Sequence, residues 1–209
     1  MKSPPAAPAL LAALLLAGCA SSPWLRTESV AGGTIYVPKL YAPLLPGSIY
    51  PDKRTPIPAR ARPAMVLVCP SKGDCRDRVI LDQAAQRGMV VLRGRDPNVD
   101  LLRTRAEADP KQIGWLLVQP EEDFLRRWIG AGAPGQAAAV IGPPPRAAKP
   151  PLPSPLSKKV LLSALLSDDP LEAEDGTDLK LYSPNKDGLL PDQAFRDAVE
   201  WLAGELGAR

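Results

Sequence analysis

Ala64-Met65-Val66-Leu67-Val68 decides the fold: five apolar residues with no polar interruption. A strand wet on one face alternates apolar with polar, whereas so short an unbroken run reads as a strand buried on both faces, as in a parallel sheet. Upstream, Thr34-Ile35-Tyr36-Val37 and Leu40-Tyr41 favour strands. They are followed by a stretch with Pro43, Pro46, Pro51, Pro56, Pro58 and Pro63, read as irregular covering chain. Downstream, Asp74 to Arg87 has helical spacing through Val79, Ile80, Gln83, Ala84 and Arg87, and Gly88 follows as a left-handed cap. Met89-Val90-Val91-Leu92 is the next strand. Asp96-Pro97 reads as a cap and first helical position leading through Val99, Leu102 and Ala106. Ile113 to Val118 is a third apolar run. Pro120-Glu121-Glu122-Asp123 then suits a first helical turn, where acids meet the positive end of the dipole. Ala137 to Ile141, Val160-Leu161-Leu162 and Leu179 to Tyr182 complete the strands, and Pro191 to Leu206 carries Phe195, Ala198, Val199, Leu202 and Leu206 on one helical face. Strands alternating with helices predict a three-layer α/β domain with a mostly parallel central sheet flanked by helices.

Composition narrows the chemistry. The 209 residues are 45% hydrophobic and suit one domain, and 26 basic against 23 acidic side chains give a formal charge of only +3. That balance suggests neither a DNA-coating protein nor an acidic tail. The chain has no histidine. It therefore lacks the side chain most used as a general base near neutral pH and as a zinc ligand, and neither a Ser-His-Asp nor a Cys-His site can be built from it alone.

The amino terminus reads as a processing signal. Lys2 supplies a positive charge, and nine apolar residues run from Ala9 to Ala17, far short of the ~20 needed to span a bilayer. Leu16-Ala17-Gly18-Cys19 resembles the lipobox of bacterial lipoproteins, which implies acylation of the Cys19 thiol. The expected organisation is a signal peptide at 1–18, an acylated terminus and polar spacer at 19–33, and a single domain at 34–209 with a proline-rich crossover at 143–155. Ala20 is not the aspartate that holds the resembling enterobacterial lipoproteins in the inner membrane, so the expectation is the outer membrane, facing the periplasm. The membrane is then a partner, through Cys19. Trp24 in the spacer could touch it.

The order of elements over about residues 34–206 resembles the α/β-hydrolase fold, in its compact esterase and dienelactone-hydrolase-like branch. By that resemblance Ala64 to Val68 precedes the oxyanion loop, and Gln112 to Val118 leads to the nucleophile elbow. Val160 to Asp169 carries the acid, and Leu179 to Leu206 spans the histidine region. The catalytic signature is missing. An elbow needs small residues around a nucleophile on a strained strand-to-helix turn. Here Val118-Gln119-Pro120-Glu121-Glu122 occupies the junction, and no serine lies between Ser71 and Ser154. Lys186 and Asp187 stand near the histidine position, and Asp168 and Asp169 fit the acid position with nothing to orient. After the first central strand, Cys69-Pro70 replaces a histidine-glycine pair.

Other chemistry is thin. Cys69 and Cys75 flank a loop containing Pro70, Ser71 and Gly73, and export favours a disulfide; two free thiols or a nucleophilic Cys69 are the alternatives. Six acids among residues 168–178 form a solvated loop or a calcium loop. Ser183 to Gly188 echoes the calcium register but fails at Ser183 and Ala194. No glycine-rich phosphate loop follows a strand, which argues against a nucleotide, and with no histidine and the calcium register broken neither a cofactor nor a metal is expected. The arginines of the first half alternate with aspartates and lack aromatic interleaving, which argues against nucleic acid. The leading expectation is a membrane-tethered, non-catalytic α/β-hydrolase-like lipoprotein that binds or plays a structural part in the envelope. The alternative is a hydrolase of ester or related bonds using an unconventional base or a partner's residues.

Overall fold

The computed structural model describes residues 25–39, 61–70, 75–142, 159–165 and 177–208. Eight strands form one sheet: β1 (Leu25–Val30), β2 (Gly33–Pro38), β3 (Arg62–Val68), β4 (Val90–Gly94), β5 (Ala108–Val118), β6 (Ala137–Ile141), β7 (Lys159–Leu165) and β8 (Thr177–Tyr182), in spatial order β1-β2-β4-β3-β5-β6-β7-β8. From β4 to β8 every neighbouring pair is parallel, and β2 alone runs against the rest. The helices are α1 (Asp77–Gln86), the single turn α2 (Asp100–Arg103), α3 (Glu122–Gly130) and α4 (Asp192–Glu205). None of them is long and apolar enough to cross a membrane.

The unbroken apolar runs follow from two cores, one on each face. In β3, Met65 and Leu67 join the core under α1 and α4, while Ala64, Val66 and Val68 join the core under α2 and α3. β4 divides the same way, with Val91 on one side and Val90 and Leu92 on the other, and Met89 just before it joins Val91. Gly114 lets α4 sit low on the sheet, because a β-carbon there would stand 3.0 Å from Leu206 Cδ1 and 3.1 Å from Leu202 Cδ2.

The sequence placed a spacer at 19–33, but Leu25–Val30 is the edge strand, joined to β2 through Ala31 and Gly32. Only Leu25 of β1 is buried and Arg26 to Ser29 are exposed, so no apolar periodicity marks the strand. Charge holds it in place: Arg26 pairs with Glu107 at 2.6 Å, and Glu28 with Arg105. Asp96-Pro97 does not open a helix. α2 begins at Asp100, whose N–H is taken by Asn98 Oδ1 at 3.0 Å. α1 starts three residues later than its composition predicts, and β5 extends back to Ala108. Gly88 does hold the left-handed conformation, φ 65°, after α1. The lipobox, Cys19, Trp24, Leu40-Tyr41, the crossover at 143–155 and the acidic loop through Asp175 lie outside the described residues.

Candidate functional site

The carboxyl ends of β3, β4 and β5 lie side by side. In an open α/β sheet this is the edge where ligands bind. At the end of β5 the chain must turn from strand to helix within three residues, Gln119 to Glu121. Gln119 makes the turn with φ 42°, a left-handed conformation unusual for a residue with a β-carbon. Its N–H donates to the Ile141 carbonyl at 2.8 Å, prolonging the β5–β6 ladder, and its side chain is exposed. Pro120, buried, has no N–H to offer. Opposite, Gly142 sits at φ 114°, and a β-carbon there would stand 2.9 Å from Gln119 Cγ. The glutamine side chain thus lies over the end of β6, in room that only glycine leaves.

β3 ends in Cys69, whose N–H donates to the Gly94 carbonyl at 3.3 Å, followed by Pro70. Cys69 and Cys75 are joined in a buried disulfide with Cα atoms 5.6 Å apart. Beyond it Arg76 has φ 52°, and Asp77 opens α1 in an ion pair with Arg93 at 2.7 Å. The donor atoms of Cys69, Cys75 and Asp77 lie within 4.8 Å of one another. The sulfurs are bonded to each other and Asp77 is held by Arg93, so the trio is not arranged as a set of metal ligands.

Between these turns lies a cleft of about 270 Å³ lined by Val68, Cys69, Arg95, Asp96, Glu121, Phe124 and Arg127. Phe124 is the aromatic residue of its lining, backed by the core: its ring lies 6.2 Å from Trp115, which lies 5.9 Å from Trp128. Its rim is charged and balanced, with Arg95 3.5 Å from Glu121 and Arg127 3.3 Å from Asp96. Exposed pairs of this kind are worth about 0–1 kcal/mol, so an incoming polar group exchanges with them at little cost. Sequence reading passed over these four residues because each sits in an ordinary surface pattern and only the third dimension gathers them.

The remaining expected site residues do not converge. Lys186 and Asp187 are exposed in the turn after β8, where Asn185 Oδ1 accepts the N–H groups of Asp187 and Leu189 at 2.9 Å each. Three strand spacings, about 14 Å, separate β8 from β5. Asp168 and Asp169 lie outside the described residues. Among the described residues the serines are Ser29 on the edge strand, Ser183 beyond β8, and Ser163, which is fully buried within β7. None stands at the elbow.

No protein-family model and no curated protein sequence matches the chain. Among solved structures it is similar to Est1E from Butyrivibrio proteoclasticus, at a TM-score of 0.53 and 10% identity, covering 88% of this chain and 99% of that one. Weaker likenesses are an S-formylglutathione hydrolase from Agrobacterium tumefaciens (TM-score 0.49, 10% identity, 87% and 99% covered) and an esterase domain from a Rhodothermus marinus protein (0.48, 13%, 86% and 96%). At such identities the likeness concerns architecture alone, and the architecture is that of an α/β-hydrolase-like fold.

Proposed function

We propose that this chain is a bacterial envelope lipoprotein, anchored through Cys19, whose hydrolase-like body binds a ligand at the carboxyl ends of its strands and does not turn it over. The observation that carries the reading is the β5–α3 junction: the strained elbow is present, and glutamine occupies it. Glutamine is not a nucleophile, and no histidine exists in the chain to activate one. The oxyanion hole of this fold is made from the N–H of the residue after the nucleophile and an N–H of the loop after β3. Here the first position is Pro120, and the second loop opens with Cys69, whose N–H is already bonded to Gly94, and Pro70. Losing a single oxyanion donor costs about 10²–10³ in rate. A histidine borrowed from a partner would not restore the donor missing at Pro120, which weighs against the hydrolase alternative. The lipobox supports the anchor, and the charged cleft with Phe124 in its lining supports binding.

Covalent capture tests the reading. Intact-protein mass measured after incubation with excess p-nitrophenyl acetate or an alkyl phosphonate ester is expected to show no stoichiometric adduct. One adduct per chain, mapped to a single residue at the strand ends and lost when that residue is substituted, would overturn it.

A further inference from the structure

The direction of β1 fixes which end of the molecule an anchor holds. β1 is antiparallel to β2, which is antiparallel to β4, so β1 runs with the parallel strands and begins at their amino ends. Register makes the levels explicit. Val30 pairs with Gly33, Gly33 with Gly94, Gly94 with Val68, and Val68 with Leu117, so the last residue of β1 is level with the strand ends that hold the cleft. Leu25 pairs with Pro38, at the opposite edge of the sheet. Five residues of strand separate the two levels, about 17 Å.

We infer that the anchored protein stands with the amino ends of its strands toward the bilayer and its cleft turned away, so that its ligand arrives from the aqueous side and not from the host membrane. The inference rests on the lipidation of Cys19. Cys19 precedes Leu25 by six residues, a length whose coil dimension is about 13 Å and whose fully extended reach is about 21 Å. With the cleft against the bilayer, Leu25 would stand about 17 Å above the plane of the strand ends. The turns at Gln119 to Glu121 and the start of α3 project beyond that plane and add to the span. Only a nearly taut tether would cover it. With the cleft turned away Leu25 stands on the bilayer side of the sheet, and that span is not required.

Full-length lipidated protein is reconstituted into phosphatidylethanolamine and phosphatidylglycerol vesicles carrying a headgroup nitroxide. A fluorophore is attached through Gln136→Cys, exposed before β6, or through Asp123→Cys, exposed in the first turn of α3. The expected result is several-fold stronger quenching at position 136 than at 123. Lengthening the tether by a dozen Gly/Ser residues after Ala20 is expected to shrink that difference. Equal quenching, or stronger quenching at 123, in vesicle-bound protein overturns the orientation alone. Wild-type protein that stays in the supernatant like Cys19→Ser removes the anchor, and the orientation with it.

Discussion

Gln119 holds a left-handed conformation that costs a residue with a β-carbon about 1–2 kcal/mol, and glycine almost nothing. Gln119→Gly is therefore expected to raise the stability of the fold by about 1 kcal/mol in urea unfolding. A loss would mean that the side chain contributes more than its backbone costs. Gly142→Ala is the converse: φ 114° and the 2.9 Å approach to Gln119 Cγ make a destabilisation of about 1–3 kcal/mol the expected result. Part of this was legible in the sequence, since the junction from Val118 to Glu122 visibly lacks a nucleophile. Its geometry was not. Glutamine does not announce a positive φ, and the glycine that accommodates it belongs to another strand.

At the level of elements, α1 is pinned at both ends by contacts distant in sequence. Its start follows the disulfide, and a loop this short gains about 2–3 kcal/mol from closure. Reduction, or Cys69→Ser with Cys75→Ser, is expected to lower stability by that amount, and native protein is expected to show no free thiol at either position without reductant. Two reactive thiols in unreduced protein would contradict the bond. The end of α1 is clamped to α4: Arg87 Nε donates to Glu200 at 2.8 Å, and Gln83 donates to the same carboxylate. The hydrogen bond from Arg87 holds the Glu200 carboxyl below its usual pKa, against the opposing effect of burial and with help from Gln83. A carboxylate depressed in this way stabilises the fold above its unfolded pKa, near 4.5, and that contribution disappears as pH falls through the lower folded value. Glu200→Gln is thus expected to cost stability at neutral pH and less at pH 3, compared by urea unfolding at both; an equal cost would place the effect in packing. Long apolar-patterned elements such as α4 and β6 could be read from sequence to within a residue. β1 could not, because four of its six residues face water and its placement depends on partners near residues 33–38 and 105–107.

For the whole molecule, the alternation of short apolar runs with helical stretches was enough to give a three-layer α/β domain, because apolar runs so short do not suit buried helices and read as strands buried on both faces. The site was less legible. The lining residues of the cleft come from β3, the turn after β4 and α3, and no spacing in the chain relates Asp96 to Arg127 or Arg95 to Glu121. Absences were easier to read than presences: zero histidine is a property of composition, while a binding surface is a property of shape. A hydrolase-like scaffold with its elbow filled by glutamine and the amide donor after it replaced by proline should be inert toward esters. Steady-state hydrolysis of p-nitrophenyl esters of short, medium and long acyl chains by the purified protein measures this directly. The expected rate equals that of buffer and is unchanged by Gln119→Ala; turnover above buffer that a single substitution at the strand ends abolishes would contradict it.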